Sequence, residues 1–131
     1  MKLPATPSFS LQGRRALVAG GSSGIGLGCA AALAEAGAHV ILMARRKEQL
    51  DAVVEAMGAA GHSAEVLVGD LADIEATSGV IDAIRPLDVF VNSAGMARHS
   101  PATETALDDF DAVMNVNLRG AYFASQAVAK A

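Results

Sequence analysis

Three glycines near the start of the chain have a spacing that could bind a phosphate. Residues 19–26 read Ala-Gly-Gly-Ser-Ser-Gly-Ile-Gly, after a short apolar run and before an alanine-rich segment. Backbone N–H groups in such a turn can face a ligand, and the first turn of the following helix adds about half a positive charge. A flexible Gly-Ser loop is the alternative. The predicted cofactor contacts in this segment are Gly20, Ser22, Ser23, Gly24, Ile25 and Gly26.

A second group of chemical interest is the cationic run Arg45-Arg46-Lys47, about 20 residues further on. A site that prefers NAD has a carboxylate here for the ribose 2′-hydroxyl. Three cations at the start of a helix interact unfavourably with its dipole, which costs roughly 0.3–1 kcal/mol of stability for each exposed cation. An anion between them would reverse that balance, and the 2′-phosphate of NADP(H) fits, with Arg45 best placed and Arg46 or Lys47 assisting. A solvated loop is the alternative.

Two further polar positions follow apolar runs. Asp70, next to Leu71, could accept a hydrogen bond from an adenine amino group, or it could cap the next helix together with Asp73. Asn92 ends the fourth apolar run, and the small residues that follow it, among them Ala94 and Gly95, leave room for a cofactor. We include Asp70, Leu71, Asn92, Ala94 and Gly95 among the predicted cofactor contacts.

The elements that would position these residues alternate along the chain. Strands are predicted at 15–19, 39–43, 64–68 and 88–91, with helices beginning near Gly24, Leu50 and Ile74. Gly37, Gly58 and Pro86 are predicted to end these three helices. For the last helix, we expect Thr105 as the cap, with Asp108 as its capping-box partner. Leu107, Phe110, Met114, Leu118 and Ala121 should then line one face of this last helix.

The strands are nearly all apolar, which is typical of parallel sheets covered on both faces. Right-handed crossovers then predict an α/β fold of the Rossmann type. This is a doubly wound parallel sheet with strand order 3-2-1-4 and helices on both faces. We expect residues 1–131 to form a single dinucleotide-binding domain.

Composition excludes several other classes of protein. Of the 131 residues, 52% are hydrophobic, and the net charge of −4 provides no basic field for nucleic acid. No apolar stretch is long enough for a membrane span, and no secretory signal is visible, so we expect a cytoplasmic protein. Cys29 is the only cysteine, and the three histidines are dispersed, so no metal site is predicted.

Taken together, residues 11–131 resemble the N-terminal, cofactor-binding half of the short-chain dehydrogenase/reductase family. The family pattern is T-G-x-x-x-G-x-G, an Asp after the third strand, N-N-A-G, and a later Asn within a helix. The matching positions are Gly20, Gly24, Gly26, Asp70, Asn92, Ala94, Gly95 and Asn117. Ala19 replaces the usual Thr and Ser93 replaces the second Asn, so we expect some loss of rigidity and no change of role.

The resemblance implies an oxidoreductase that uses NADP(H) to transfer hydride to or from a small-molecule carbonyl or alcohol. It assigns Asn117 a catalytic role, holding a water in the proton relay; Asn115 is the less favoured match. It also implies a homo-oligomer, a dimer or tetramer, in the full-length form, paired through the helix at 106–130.

The resemblance also implies residues that this sequence lacks. The family has a Ser followed by Tyr-x-x-x-Lys, whereas Tyr122 is followed four residues later by Gln126, so we interpret Tyr122 as structural. We therefore expect a chain truncated before the catalytic Tyr/Lys segment and the last strands, and inactive on its own. The alternatives are a short nucleotide-binding protein without turnover and a translated relic that does not fold stably.

Overall fold

The computed structural model describes residues 1–130, in which strands and helices alternate. The strands are β1 (Arg15–Ala19), β2 (His39–Ala44), β3 (Ala64–Val68) and β4 (Val89–Asn92). The α-helices are α1 (Gly24–Glu35), α2 (Lys47–Ala59), α3 (Ile74–Ala83), α4 (Leu107–Met114) and α5 (Ala121–Ala129). A 3-10 turn at Ala102–Glu104 precedes α4, and a π-helical turn at Asn115–Gly120, called the π-turn below, joins α4 to α5.

All the strands pair in parallel, in the order β3-β2-β1-β4. This arrangement confirms the predicted doubly wound sheet. Strand β1 lies between β2 and β4, so Leu17 is paired with Ile41 on one side and with Phe90 on the other. The carboxyl ends of the strands therefore meet at one edge of the sheet, where open α/β folds bind their ligands.

Strand β1 packs against helices on both faces of the sheet. Ala16 and Val18 belong to a core with α1 and α2, whereas Leu17 and Ala19 belong to a second core with α3 and α5. All four side chains are fully buried. This two-sided burial explains why the strand sequence is continuously apolar instead of alternating.

The amino ends of β1 and β4 are joined by Asp88, which the sequence placed inside the fourth strand. Its carboxylate accepts hydrogen bonds from the backbone N–H of Arg15 at 2.8 Å and the guanidinium of Arg14 at 3.0 Å. These two donors, the backbone N–H first, hold the pKa of Asp88 below its usual range. The fourth strand accordingly begins one residue later than predicted, at Val89.

The first three helices begin and end close to the predicted positions. Gly37, with φ of +104°, follows the end of α1, whereas α2 continues through Gly58 to Ala59. Asp73 caps α3 by accepting a hydrogen bond from the N–H of Ala76 at 3.3 Å. No helix within residues 1–130 has both the length and the apolar character needed to cross a lipid bilayer.

The last helix differs from its prediction in two ways. Thr105 does not cap it: α4 begins after Ala106 without a side-chain cap, and the Thr105 hydroxyl bonds to the carbonyl of Pro101. The helix is also interrupted by the π-turn, which 3.6-residue periodicity cannot anticipate. Of the predicted apolar face, Leu107 and Leu118 are more than half exposed, and the small residues Ala124 and Ala127 pack into the core instead.

Candidate functional site

The carboxyl ends of the strands border a cleft of about 480 Å³. Its walls come from the segments that follow β1, β2, β3 and β4, and from the π-turn. The predicted cofactor contacts that line it are Gly20, Ser22, Ser23, Gly24, Ile25, Arg45, Arg46, Asp70, Leu71, Ala94 and Gly95. Three predicted site residues, Gly26, Asn92 and Asn117, do not line it.

The glycine turn (residues 20–26) requires glycine because backbone approaches it closely. Gly20 has φ of +76°, and a Cβ there would lie 2.7 Å from the Ala94 nitrogen and 2.9 Å from the Ser93 oxygen. A Cβ at Gly26 would overlap the carbonyl oxygen of Gly20. Both glycines therefore let the start of α1 and the segment after β4 close tightly around the end of β1.

The amino end of α1 faces this cleft. Ser23 is its N-cap residue, but the Ser23 side chain makes no capping hydrogen bond. Ser22, Ser23 and Gly24 line the cleft, and Ile25 is 80% exposed there. First-turn N–H groups that no side chain satisfies, together with the helix dipole, favour an anion at this position.

Two arginines line the opposite part of the cleft. Arg45 and Arg46 are exposed, and neither makes an ion pair with any residue in the range 1–130. Arg46 is also the N-cap of α2, again without a side-chain cap. Lys47 is placed differently, since its ammonium bonds to both carboxylate oxygens of Asp51, at 2.7 and 2.8 Å. Two cations therefore remain available to an anion, and the third is already paired.

The segment after β3, called the β3 loop (residues 69–73), is fastened to α3 by Thr77. The buried Thr77 hydroxyl donates to the carbonyl of Asp70 at 2.7 Å and accepts from the Asp70 N–H at 3.0 Å. The Asp70 carboxylate braces its own loop by accepting from the Ala72 N–H at 2.9 Å. Asp73 alone caps α3. The alternative in which Asp70 shares this capping role is therefore wrong.

The segment after β4, called the β4 loop (residues 93–96), is held at both ends. Asn92 accepts a hydrogen bond from the Ala94 N–H at 3.1 Å, bracing the turn as the sequence indicates. The N–H of Ser93 donates to the carbonyl of Ala19 at 2.9 Å. This backbone bond joins the first and fourth strand ends although Ala19 and Ser93 lack the family's usual side chains.

Asn117 reaches the far end of the β4 loop. Its carboxamide oxygen accepts from the Met96 N–H at 2.9 Å, and its amide nitrogen donates to the Met96 carbonyl at 2.7 Å. The side chain thus binds the backbone of one residue twice. A role for Asn117 in a proton relay stays a prediction.

Several cleft residues were not identified from the sequence. Ala19, Met43, Ala44 and Gly69 line it because they end or follow strands β1, β2 and β3. Their position at strand ends was the available signal. Val116 lines it only because the π-turn directs it there, and no sequence period indicates that.

The structure also has a groove outside the cleft. A larger groove of about 760 Å³ lies along α4, the π-turn and α5, away from the strand ends. Tyr122 lines this groove, is 63% exposed and contacts Phe123 edge-on, so it contributes nothing to the core. Residues 1–130 contain no group of three or more His, Cys, Asp or Glu side chains arranged to hold a metal ion.

Comparison with known proteins identifies the family. A sequence model described as short chain dehydrogenase matches residues 14–131. The chain belongs to the short-chain dehydrogenase family. Gluconate 5-dehydrogenase of Gluconobacter oxydans is 40% identical over 126 residues, covering 93% of this chain and 49% of the relative. L-xylulose reductase of Mesocricetus auratus is 41% identical over 122 residues, covering 93% and 48%.

The fold of this family member matches solved structures equally well. A gluconate 5-dehydrogenase from Burkholderia cenocepacia, crystallised with NADP and tartrate, superposes with a TM-score of 0.87 at 37% identity. The match covers 93% of this chain and 49% of that one. The chain thus spans about half the length of the curated relatives it matches.

Proposed function

We propose that this chain binds NADP(H) in the cleft, as the cofactor-binding part of a short-chain dehydrogenase. The whole enzyme would transfer hydride between the nicotinamide and a carbonyl or alcohol carbon of a small molecule. The observation that carries the proposal is the pairing, in one cleft, of an uncapped helix start with two arginines that lack a carboxylate partner in residues 1–130. The NADP-bound relative of the same fold supports it.

The residues present fit NADP(H) at both of its anionic groups. The pyrophosphate would lie over the glycine turn, bound by backbone N–H groups at the start of α1 and by the Ser22 and Ser23 hydroxyls. Gly24, where an added Cβ would have nothing within 4 Å, keeps that approach free of a side chain, and Gly20 and Gly26 allow the turn to pack tightly against its neighbours. The 2′-phosphate would lie between Arg45 and Arg46, whose guanidinium groups can each donate two parallel hydrogen bonds.

The remaining contacts orient the two ends of the cofactor. At the adenine end, Asp70 would accept a hydrogen bond with the carboxylate oxygen that its own loop leaves free, beside the Leu71 side chain. At the nicotinamide end, Ala94 and Gly95 leave space along the cleft wall, and Asn92 holds their loop in shape. NADP(H) itself supplies or accepts the hydride when bound.

Catalysis by this chain alone is a separate question. The printed 131 residues contain one tyrosine, Tyr122, and Gln126 stands where the family motif has lysine. We therefore propose that the isolated chain binds the nucleotide without turnover, with Asn117 as its only contribution to the family's proton relay. The second candidate function is nucleotide binding without turnover, which would apply to a protein made of these 131 residues alone because they contain no Tyr-x-x-x-Lys.

The proposed setting is cytoplasmic and oligomeric. The support for assembly is the exposed apolar surface of α4, the π-turn and α5, where Phe110 and Leu118 are 56% and 59% exposed. Such a surface is typical of protein–protein contacts. We propose that the full-length form pairs into a dimer or tetramer through this surface.

The 2′-phosphate assignment is tested by titrating the chain with NADPH and NADH. We expect NADPH to bind more tightly, and Arg45→Ala to weaken NADPH binding about tenfold while leaving NADH unchanged, since a hydrogen bond to a charged group contributes about 1.5–3 kcal/mol. Arg14→Ala is the matched control, because it removes the same charge at the opposite edge of the sheet. Equal affinities for the two nucleotides in the unmutated protein would refute the assignment.

A further inference from the structure

The π-turn contacts two of the loops that form the cleft. The β3 loop contributes Asp70 and Leu71 to the lining, and the β4 loop contributes Ala94 and Gly95. No backbone hydrogen bond between these two loops occurs in residues 1–130. What connects them is the six-residue turn itself.

On one side, the π-turn is pressed against the β3 loop. Gly120 is buried, and a Cβ there would lie 2.5 Å from the Leu71 carbonyl oxygen and 2.8 Å from the Leu71 Cβ. The Asn115 amide donates to the carbonyl of Ala72 at 3.0 Å. Both contacts meet neighbouring residues of the same loop, so the turn supports the loop backbone directly.

An exposed ion pair also links the π-turn to α3, the helix that follows the β3 loop. Arg119 donates to the Glu75 carboxylate at 2.5 Å, and its guanidinium lies 5.9 Å from the centre of the Phe123 ring. The Arg119 hydrogen bond holds the pKa of Glu75 below its usual range. Since the pair is exposed, it contributes less to holding the π-turn against the β3 loop than the Gly120 and Asn115 contacts do.

On the other side, the π-turn holds the β4 loop. Asn117 binds both the N–H and the carbonyl of Met96, at 2.9 and 2.7 Å. A Cβ at Gly95 would come within 3.3 Å of the Asn117 carboxamide oxygen, so the approach is close there as well. Val116, between Asn115 and Asn117, lines the cleft.

The winding of the turn explains how one short segment reaches both loops. A π-helical turn closes i to i+5, which brings Asn115 and Gly120 to the same side. Residues two apart on a helix do not face each other, so Asn117 points away from Asn115. The turn therefore presents one face to each loop.

We infer that the π-turn is a clamp that sets the width of the cleft, with Gly120 and Asn115 as positioning residues. They fix the β3 loop directly and, through Asn117, the β4 loop. The clamp is inferred from the contacts above, whereas its effect on nucleotide affinity rests on the proposed function. Loosening the clamp on either side should loosen the loop on the other.

The test uses the full 131-residue chain, with amide hydrogen exchange and NADPH titration as readouts. Gly120→Ala adds a Cβ against Leu71, and Asn115→Leu keeps the side-chain shape but removes its donor. In each variant we expect the amide of Met96 to exchange at least tenfold faster, although neither residue contacts Met96. The amide of Leu17 in the central strand should keep its rate. NADPH should bind about tenfold more weakly.

Gly79→Ala is the matched control, because Gly79 lies in α3 with nothing within 4 Å of an added Cβ. It should leave both Met96 exchange and NADPH affinity unchanged. A residue that served only general stability would speed the exchange of Met96 and Leu17 together. That result, or an unchanged Met96 rate in both folded variants, would overturn the clamp.

The two readouts separate the clamp from the proposed function. Faster Met96 exchange in variants of a protein that binds no NADPH would uphold the clamp and refute the proposed cofactor. Faster exchange with unchanged NADPH affinity would refute the clamp's role in setting the cleft for the nucleotide.

Discussion

Gly20 is the residue at which one added carbon would disturb the cleft most directly. A side chain at this position would be unfavourable for two reasons. The positive φ is one that L-residues rarely adopt, and backbone atoms of Ser93 and Ala94 would lie closer than 3 Å to the added Cβ. Gly13 has nearly the same φ, +78° against +76°, with nothing within 4 Å. The chain thus contains a natural pair of positions that separates backbone strain from steric overlap.

We predict that Gly20→Ala destabilises the protein more than Gly13→Ala does. Gly13→Ala should lower the free energy of unfolding by about 1–2 kcal/mol, the cost of a left-handed conformation. Gly20→Ala should add a further 1–3 kcal/mol or so from overpacking and should weaken NADPH binding. Urea unfolding and nucleotide titration measure the two effects. Equal losses of stability at both positions would show that the Ser93–Ala94 contact is unimportant.

At the scale of elements, the attachment of the β3 loop to α3 depends on one buried hydroxyl. Thr77 is 2% exposed and satisfies both the N–H and the carbonyl of Asp70. Without the hydroxyl, the Asp70 N–H would lose its partner in a partly buried position, whereas the Asp70 carbonyl would keep the Asp73 N–H at 2.9 Å. The loop that carries a predicted cofactor contact therefore depends on the first turns of the following helix.

We predict that Thr77→Val, which preserves side-chain shape, lowers the free energy of unfolding by about 1–3 kcal/mol, the cost of leaving the Asp70 N–H unsatisfied. Thr105→Val is the control, because the Thr105 hydroxyl is exposed and its partners, the Ser100 hydroxyl at 3.0 Å and the Pro101 carbonyl at 3.3 Å, are exposed as well. The control should stay within about 0.5 kcal/mol of the unmutated protein. Denaturant unfolding of both variants is the measurement, and similar values for the two would argue against the Asp70 attachment.

The elements also show how far sequence reasoning extends. Short apolar segments followed by glycine or a polar residue located every strand of the described range. The pattern is clearest in β1 and β2, which are buried along nearly their whole length, whereas β3 and β4 at the edges of the sheet are partly exposed. The same reasoning located most of the cleft, since its residues follow strand ends. It missed the π-turn, because one additional residue per turn leaves no trace in the apolar spacing. Val116 and the exposure of Leu118 were missed for that reason.

At the scale of the whole molecule, one group of ion pairs lies at the end of the sheet opposite the cleft. Arg14, Arg15, Asp88 and Glu65 form their pairs around the amino ends of the strands. Near the cleft, Lys47 and Arg119 are paired with Asp51 and Glu75, whereas Arg45 and Arg46 make no ion pair in the described range. The charges proposed for ligand binding are therefore those beside the cleft that no carboxylate neutralises.

We predict that the 131-residue chain binds NADPH but shows no turnover with it and any of a panel of aldehydes and ketones. The physical reason is the lack of a tyrosine whose pKa a lysine four residues on could lower. Loss of the reduced-nicotinamide absorbance measures turnover, and mass spectrometry of the intact protein establishes the length of the species assayed. Turnover that disappears in Tyr122→Phe would contradict this prediction.

The central position of β1 also sets the order in which these four strands can pair. Its first neighbour, β2, follows in the chain after a single helix, whereas Ala16 meets its other partner, Val89, only after β2, β3 and three helices have been made. Such long-range parallel pairing forms slowly. During synthesis, β1 to β3 can associate with α1 and α2 while the edge of β1 that pairs with β4 still has no partner strand. The glycine turn acquires its contact with Ser93 and Ala94 only when β4 docks, so the proposed nucleotide cleft cannot form before β4 pairs with β1.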